Sequence, residues 1–122
     1  MAGPLKGYLW STSSSYDYIL GEYEDPDTLK QFLSWLKPDS VYYDIGSNIG
    51  FHALTANRVI NSGKIYAFEP FIKNFETLKS NIKKNNFNEK VQSFNFGVSD
   101  KDSKIDLYLN KSENNSIFSE HS

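Results

Sequence analysis

Two carboxylates and a pair of glycines stand where chains that alternate strands with helices bind small molecules. The stretch YYDIGSNIGFH, residues 42–52, carries Asp44, Gly46 and Gly50 between an apolar strand pattern and an apolar helix pattern. Glu69 comes about 20 residues after this loop, at the end of the next apolar run. At such positions glycines permit a sharp turn and close packing, and the second acid accepts hydrogen bonds from ribose hydroxyls. The spacing therefore predicts a site for a ligand that contains ribose.

The acid in front of the glycines discriminates between two cofactors. A dinucleotide brings its pyrophosphate to a G-x-G-x-x-G loop, whose backbone N–H groups face it with no carboxylate beside them. Here the loop is D-I-G-S-N-I-G, so the middle glycine is missing and Asp44 stands in front. S-adenosylmethionine has no phosphate: Asp44 can attract its ammonium group, and N–H groups near Ser47, Asn48 and Ile49 can receive its carboxylate. The loop therefore favours S-adenosylmethionine over NAD.

Three helices are predicted around this site. Asp25 and Pro26 have the residue types of a helix N-cap and of the first helical position, and Pro38 ends the apolar stripe that follows them. Apolar residues step by four through 49–60, directly after the glycines. A third apolar stripe with helical spacing follows Pro70. The site residues are thus expected at the ends of strands that lead into helices.

Strands are predicted over four segments, 41–45, 64–68, 91–98 and 104–109, whereas the polar tail after them shows no closing element. Strand, glycine turn, helix, strand, acid, helix and strand is the order of one half of a doubly wound α/β sheet, in which ligands bind beyond the carboxyl ends of parallel strands. We expect residues 25–122 to form this unit, truncated at its C-terminus. Residues 1–24 are expected to be an N-terminal extension or an edge hairpin.

Composition restricts the classes of function. The chain has 122 residues with a formal net charge of -2, so the basic footprint of a nucleic-acid binder is missing and no nucleic-acid partner is expected. It has no cysteine, which removes disulfides and thiolate metal sites, and no metal site is predicted. No apolar run is long enough to span a bilayer, and the N-terminus lacks the apolar segment of a signal peptide. We expect a cytoplasmic protein.

The sequence also resembles the FkbM-type S-adenosylmethionine-dependent methyltransferases. The resemblance is carried by GEYED, LKPDSVYYDIGSNIGFHALTA, KIYAFEPFIKNFETLKSNIKKNN and FNFGVSDKDSKIDLYL, which cover most of the chain after about residue 20. It implies a Rossmann-like class I methyltransferase that transfers a methyl group to a hydroxyl of a sugar, glycan or other small metabolite. It further implies that Asp44, Gly46, Asn48 and Gly50 line the methionine end of the cofactor and that Glu69 holds the ribose. Phe71 and the turn from Gly97 through Val98 to Ser99 are implied to lie near adenine.

Members of that family continue with further strands that face the substrate, and this sequence stops before them. We therefore expect the chain to carry the cofactor-binding half of the enzyme. Catalytic residues and residues that bind the methyl acceptor cannot be assigned to positions of this sequence.

Plainer interpretations remain open for the same residues. The glycines could be turn glycines, Asp44 could only cap the helix that follows it, and Glu69 could offset a helix dipole. Glu24 could reach the cofactor from the segment before the first helix or be a solvated loop acid. His52 is more often a packed or solvent-facing residue at such a place than a catalytic base. The alternative functions are an NAD-dependent oxidoreductase half-domain and a non-enzymatic nucleotide-binding module.

Overall fold

The computed structural model describes residues 5–11, 25–102, 104–109 and 116–121, the last two ranges by their backbone alone. The described chain contains three helices and five strands. In chain order they are α1 (Pro26–Ser34), β1 (Val41–Ile45), α2 (Phe51–Ala56), β2 (Lys64–Phe68), α3 (Ile72–Lys84), β3 (Val91–Phe94), β4 (Lys104–Leu109) and β5 (Ser116–His121).

Local sequence signals determine where the first helix begins. Asp25 is the N-cap of α1, and its carboxylate accepts a hydrogen bond from the Thr28 N–H at 3.1 Å. Pro26 occupies the first helical position, where its missing N–H costs nothing because that N–H would have no helical partner. The predicted start of this helix is confirmed.

The strands β1, β2 and β3 form a parallel sheet in that spatial order. Asp44 is opposite Ala67, and Ile45 is opposite Phe68, so β1 and β2 end at the same level. The segments that follow both strands therefore meet at one edge of the sheet, as expected for half of a doubly wound α/β fold.

Buried apolar side chains group in two clusters within the described residues. The first joins α2 and α3 to the inner face of β2 and β3, and consists of Ala53, Ala56, Ile60, Ile65, Ala67, Leu78, Ile82 and Val91. The second joins Leu5 of the N-terminal segment to Ile49, Phe51 and Leu54, and Trp10 packs against it. The loop after β1 is thus held from its outer side by residues from the start of the chain.

The opposite face of the sheet is aromatic and largely exposed. Tyr43 keeps 62% of its surface accessible. Its ring meets the Tyr66 ring edge-on at 5.3 Å, and Phe68 stacks on Phe94 at 5.2 Å. Parallel sheets are ordinarily covered on both faces, because helices connect their strands on either side.

Two elements differ from those predicted. β3 ends at Phe94 rather than continuing to residue 98, because the Asn95 side chain donates hydrogen bonds to the carbonyls of Glu69 and Pro70 and turns the chain away. The tail was expected to have no closing element, which is wrong, since β5 pairs antiparallel with β4. Its sequence SIFSEH places two apolar residues side by side and so lacks the alternation of a half-buried strand, and pairing with β4 supplies what the pattern does not show.

Gly63 offers a direct test of the packing at the start of β2. A Cβ at this position would lie 1.8 Å from the Ser40 carbonyl oxygen, so backbone would have to move. We expect Gly63→Ala to lower the free energy of unfolding by at least about 2 kcal/mol, since overpacking against backbone has no cheap relaxation. Urea unfolding of both chains measures this change in the free energy of unfolding. Ser62→Ala, at the exposed position that precedes the buried Gly63, is the control, and equal midpoints for the two variants would contradict the packing described.

Candidate functional site

The candidate site lies at the carboxyl ends of β1 and β2. The loop after β1, residues 46–50, is attached to the end of β2 by its own backbone, because Gly46 and Ser47 both donate their N–H groups to the Phe68 carbonyl at 2.9 Å. The Ser47 hydroxyl turns back to the Asp44 carbonyl at 2.7 Å. These bonds fix the path of the loop over the ends of two neighbouring strands.

The Glu69 carboxylate connects the two segments that follow these strands. One oxygen, Oε1, accepts the Asn48 N–H at 2.8 Å, and the other, Oε2, accepts the Phe71 N–H at 2.9 Å. The side chain is 6% exposed. A carboxylate has about four acceptor positions, so each oxygen retains capacity for a further donor such as a ribose hydroxyl.

Asp44 is a buried acid with an unused acceptor. It is 7% exposed, and its Oδ1 accepts a hydrogen bond from the Tyr42 hydroxyl at 3.2 Å. Its Oδ2 is buried and has no hydrogen-bond partner among the residues that the structure describes. Buried polar atoms are ordinarily paired, and one that is not is a reason to look for a ligand that supplies the donor.

Burial dominates the electrostatics of both acids. It raises the pKa of Asp44, although the Ser47 and Tyr42 side chains, His52 and the Ala53 backbone oppose the shift. Burial also raises the pKa of Glu69, and the charge of Asp44 adds to this upward shift. The hydrogen bonds from the N–H groups of Phe71 and Asn48 lower the pKa and so oppose the shift. The ionised pair is therefore poorly compensated by the protein, and a cationic ligand at this place would favour the charged form of both groups.

The two glycines of the loop have different roles. Gly50 has φ 106°, and a Cβ there would lie 2.9 Å from the terminal carbons of both Leu54 and Leu78, so this glycine permits close packing of α2. Gly46 has φ 77°, and a Cβ there would meet no atom within 4 Å. The backbone at Gly46 thus faces open space at the ends of the strands, while Gly50 faces the core.

Ser47 and Asn48 were expected to offer backbone N–H groups to a cofactor carboxylate. Both N–H groups donate within the protein, to the Phe68 carbonyl and to Glu69. Their expected role stays a prediction, and it requires those donors to be shared or to change partners. His52 makes edge-on ring contacts with Phe32 and Phe51 at 5.4 Å, as expected for a packed histidine.

The structure gives the positions of three of the residues expected near adenine relative to Glu69. Phe71 is the N-cap of α3 and is joined to Glu69 through its N–H. Gly97 and Val98 are exposed in the segment that follows β3, and Asn95 brings the start of that segment to the Glu69 carbonyl at 3.0 Å. Glu24 lies outside the described residues.

Sequence reasoning missed two side chains at this site. Tyr42 precedes Asp44 by two residues on one strand, so its position on the same face could have been inferred from strand alternation. Asn95 had no such signal, because its contact with the segment after β2 arises only when β3 lies beside β2. In the ranges that the structure describes, no group of acidic or histidine side chains could hold a metal ion, and no helix has the length and apolarity to cross a membrane.

Comparison with known families and structures shows what the chain is similar to. The model of the family described as the Vibrio cholerae RfbT protein matches residues 22–119. A comparison with curated proteins finds no match. The tRNA (m1A58) methyltransferase TrmI from Aquifex aeolicus is 22% identical with a TM-score of 0.55, over 82% of this chain and 37% of that chain.

Two further structures share the arrangement. The precorrin-6y C5,15-methyltransferase from Geobacter metallireducens is 19% identical with a TM-score of 0.53, over 72% of this chain and 43% of that one. An S-adenosylmethionine-dependent O-methyltransferase from Thermotoga maritima is 23% identical with a TM-score of 0.52, over 59% of this chain and 28% of that one. These similarities show a Rossmann-like class I methyltransferase fold. The chain spans less than half the length of each of these structures, and its resemblance to the FkbM type stays a prediction.

The different roles of the glycines can be separated by stability measurements. Gly46→Ala is expected to cost about 1 to 2 kcal/mol, the penalty for a side chain at positive φ, because its Cβ enters open space. Gly50→Ala is expected to cost about 2 to 4 kcal/mol, because the same penalty is joined by overpacking against two buried leucines. Chemical unfolding of both variants measures the difference. A larger loss for Gly46→Ala than for Gly50→Ala would be inconsistent with the packing described.

Proposed function

We propose that this chain, which belongs to the family of the Vibrio cholerae RfbT protein, binds S-adenosylmethionine and forms the cofactor-binding part of a methyltransferase. The observation that carries the proposal is the unpaired, buried Oδ2 of Asp44 beside a second buried acid, Glu69. This site needs a ligand that is cationic and donates hydrogen bonds. The ammonium group of S-adenosylmethionine has both properties.

The residues present also fit the ribose of this cofactor. Glu69 retains acceptor capacity for the ribose hydroxyls, and it is held in place by the N–H groups of Asn48 and Phe71. The open space at Gly46 allows a ligand to approach the backbone closely. When bound, S-adenosylmethionine supplies a methyl group activated by a sulfonium. The protein residues contribute binding, orientation and charge at its two ends.

The site disfavours a dinucleotide. NAD would bring a doubly charged pyrophosphate next to the loop, where two carboxylates would repel it, and the charge of one of them, Asp44, already raises the pKa of the other, Glu69. Phosphate loops instead present unused backbone N–H groups, and here the N–H groups of Gly46 and Ser47 donate to Phe68. The NAD-dependent oxidoreductase is therefore the weaker alternative.

For the methyl acceptor we propose a hydroxyl of a sugar, glycan or small metabolite. The support is the resemblance to FkbM-type enzymes carried by the motifs around Asp44 and Glu69. One of the similar structures is called an O-methyltransferase, and another is a tRNA methyltransferase. The formal net charge of -2 makes an RNA acceptor the weaker choice, since binding of a phosphate backbone requires a basic surface.

Replacement of the buried acid tests the cofactor assignment. Asp44→Asn keeps the shape of the side chain and removes the charge that would attract the ammonium group. We expect S-adenosylhomocysteine to bind about 10- to 100-fold more weakly, since a hydrogen bond to a charged group contributes about 1.5 to 3 kcal/mol. Isothermal titration calorimetry measures the affinity. Asp39→Asn, which removes a charge from an exposed turn, is the matched control.

Three outcomes of that titration are informative. Loss of affinity in Asp44→Asn alone supports the proposal. Equal affinity in Asp44→Asn and Asp39→Asn would mean that the Asp44 charge does not bind the cofactor. Binding of NAD by the unmodified chain, with none of S-adenosylhomocysteine, overturns the assignment.

The raised pKa values of both acids predict a pH dependence. A carboxyl group whose pKa is higher in the folded chain than in the unfolded chain stabilises the fold at low pH. This stabilisation is complete below the pKa of the unfolded chain, ordinarily 3.8 for Asp44 and 4.5 for Glu69, and it is lost as the pH rises through the pKa of the folded chain. The unliganded chain therefore loses this contribution in the window above the ordinary carboxyl range. A bound ammonium group favours the ionised acids, so affinity for S-adenosylhomocysteine should rise with pH across the same window.

Calorimetric titrations in two buffers of different ionisation enthalpy measure the protons released on binding. We expect proton release within that window, and a smaller release in Asp44→Asn because one of the two acids is gone. Binding that takes up protons, or that involves none at any pH in the window, would contradict the electrostatics described.

A further inference from the structure

The N-terminal segment, residues 5–11, is paired with α3 through two asparagine side chains. The Asn85 amide accepts the Leu9 N–H and donates to the Leu9 carbonyl, both at 2.8 Å. The Asn81 amide accepts the Ser11 N–H at 2.7 Å and donates to the Ser11 carbonyl at 2.9 Å. Two residues of extended chain span about 6.6 Å, and one helical turn rises about 5.4 Å. The spacing between Leu9 and Ser11 is therefore similar to that between Asn81 and Asn85, so each asparagine can pair with one of these two residues.

Asn81 makes one contact that Asn85 does not. Its Nδ2 also donates to the Ile49 carbonyl at 3.0 Å. The side chain is 0% exposed, and its two N–H groups and its oxygen all have partners. Asn81 is therefore a buried junction between α3, the N-terminal segment and the loop after β1.

The loop depends on such support because of its backbone. Asn48 and Gly50, on either side of Ile49, have φ values of 56° and 106°, in a region that costs free energy for residues with a side chain. The Ile49 carbonyl belongs to the peptide that leads into Gly50, so the bond from Asn81 fixes the orientation of that peptide. The Ile49 side chain belongs to the cluster that contains Leu5, and Trp10 packs against that cluster.

We propose that Asn81 is a positioning residue for the cofactor loop, through which residues 5–11 become part of the binding site. This inference rests on the proposed binding of S-adenosylmethionine. Asn81 holds the peptide after Ile49 in the orientation that presents Asn48 to Glu69, and the N-terminal segment holds Asn81. Coupling between two sites is reciprocal, so a ligand that orders the loop also orders the segment.

The two asparagines provide a pair of variants that differ at the bond to Ile49, although Asn85→Asp also removes the 2.7 Å bond from Asn85 Nδ2 to the Asn81 carbonyl. Asn81→Asp and Asn85→Asp are nearly isosteric, and each keeps an acceptor for the segment but loses the N–H donors. Only Asn81→Asp removes the bond to Ile49. We expect Asn81→Asp to weaken S-adenosylhomocysteine binding by at least about tenfold, the effect of losing a donor and leaving a buried carbonyl unpaired, and Asn85→Asp by no more than about twofold.

Hydrogen exchange in the unmodified chain gives a second measurement that needs no variant. Saturation with S-adenosylhomocysteine is expected to slow exchange of the Leu9 and Ser11 N–H groups, although neither residue touches the two acids of the site in the contacts described. Asn81→Asp is expected to lose this protection. A purely structural role for Asn81 would lower stability without linking these N–H groups to the ligand.

The outcomes separate the two proposals. No binding of S-adenosylhomocysteine by the unmodified chain overturns the proposed function. Binding with no added protection at Leu9 and Ser11 overturns the coupling, and so does equal affinity of the two variants. If Asn81→Asp fails to fold, the exchange measurement on the unmodified chain decides alone.

Discussion

The Glu69 carboxylate is the constraint on which the site depends. The sheet brings the ends of β1 and β2 to one level, but their following segments diverge, one into a glycine loop and the other into α3. Glu69 joins them by accepting an N–H from each, through Asn48 and Phe71. Charge-assisted bonds of this kind are stronger than neutral ones, and a carboxylate that accepts one bond at each oxygen retains further lone pairs. One side chain thus organises the loops and presents an acceptor surface.

The same arrangement buries two carboxylates, and the hydrogen bonds and charges of the protein offset the cost of burying them only in part. Asp44 and Glu69 lie close enough for one to raise the pKa of the other, and burial raises both. A structure selected only for stability would replace such a pair with neutral residues, because desolvated charges are costly. Their presence is understandable if a cation completes the site. The orphaned oxygen of Asp44 gives this argument a specific position, since it identifies which atom lacks a donor.

Much of this could be predicted from sequence where a signal is local. The cap at Asp25, the strand before Asp44 and the helix after Pro70 each depend on neighbouring residues, and the structure has all three. The failures occurred where a distant partner decides the outcome. β5 exists because β4 supplies its hydrogen bonds, and Asn81 contacts Ser11 across a separation of 70 residues, which no short-range pattern reports. The paired loop donors at Ser47 and Asn48 were missed for the same reason.

The placement of the tryptophans gives the chain an optical property of its own. Trp35 follows α1 and is 69% exposed, whereas Trp10 packs against the cluster that contains Ile49. Indole fluorescence shifts to shorter wavelength in apolar surroundings, so Trp10 is expected to emit at a shorter wavelength than Trp35. The chain has only these two tryptophans, and removing the exposed one leaves a single fluorophore packed against the cluster that contains Ile49, the loop residue whose carbonyl Asn81 binds. The fluorescence of Trp10 would then report on changes in the packing of this cluster, without an attached dye.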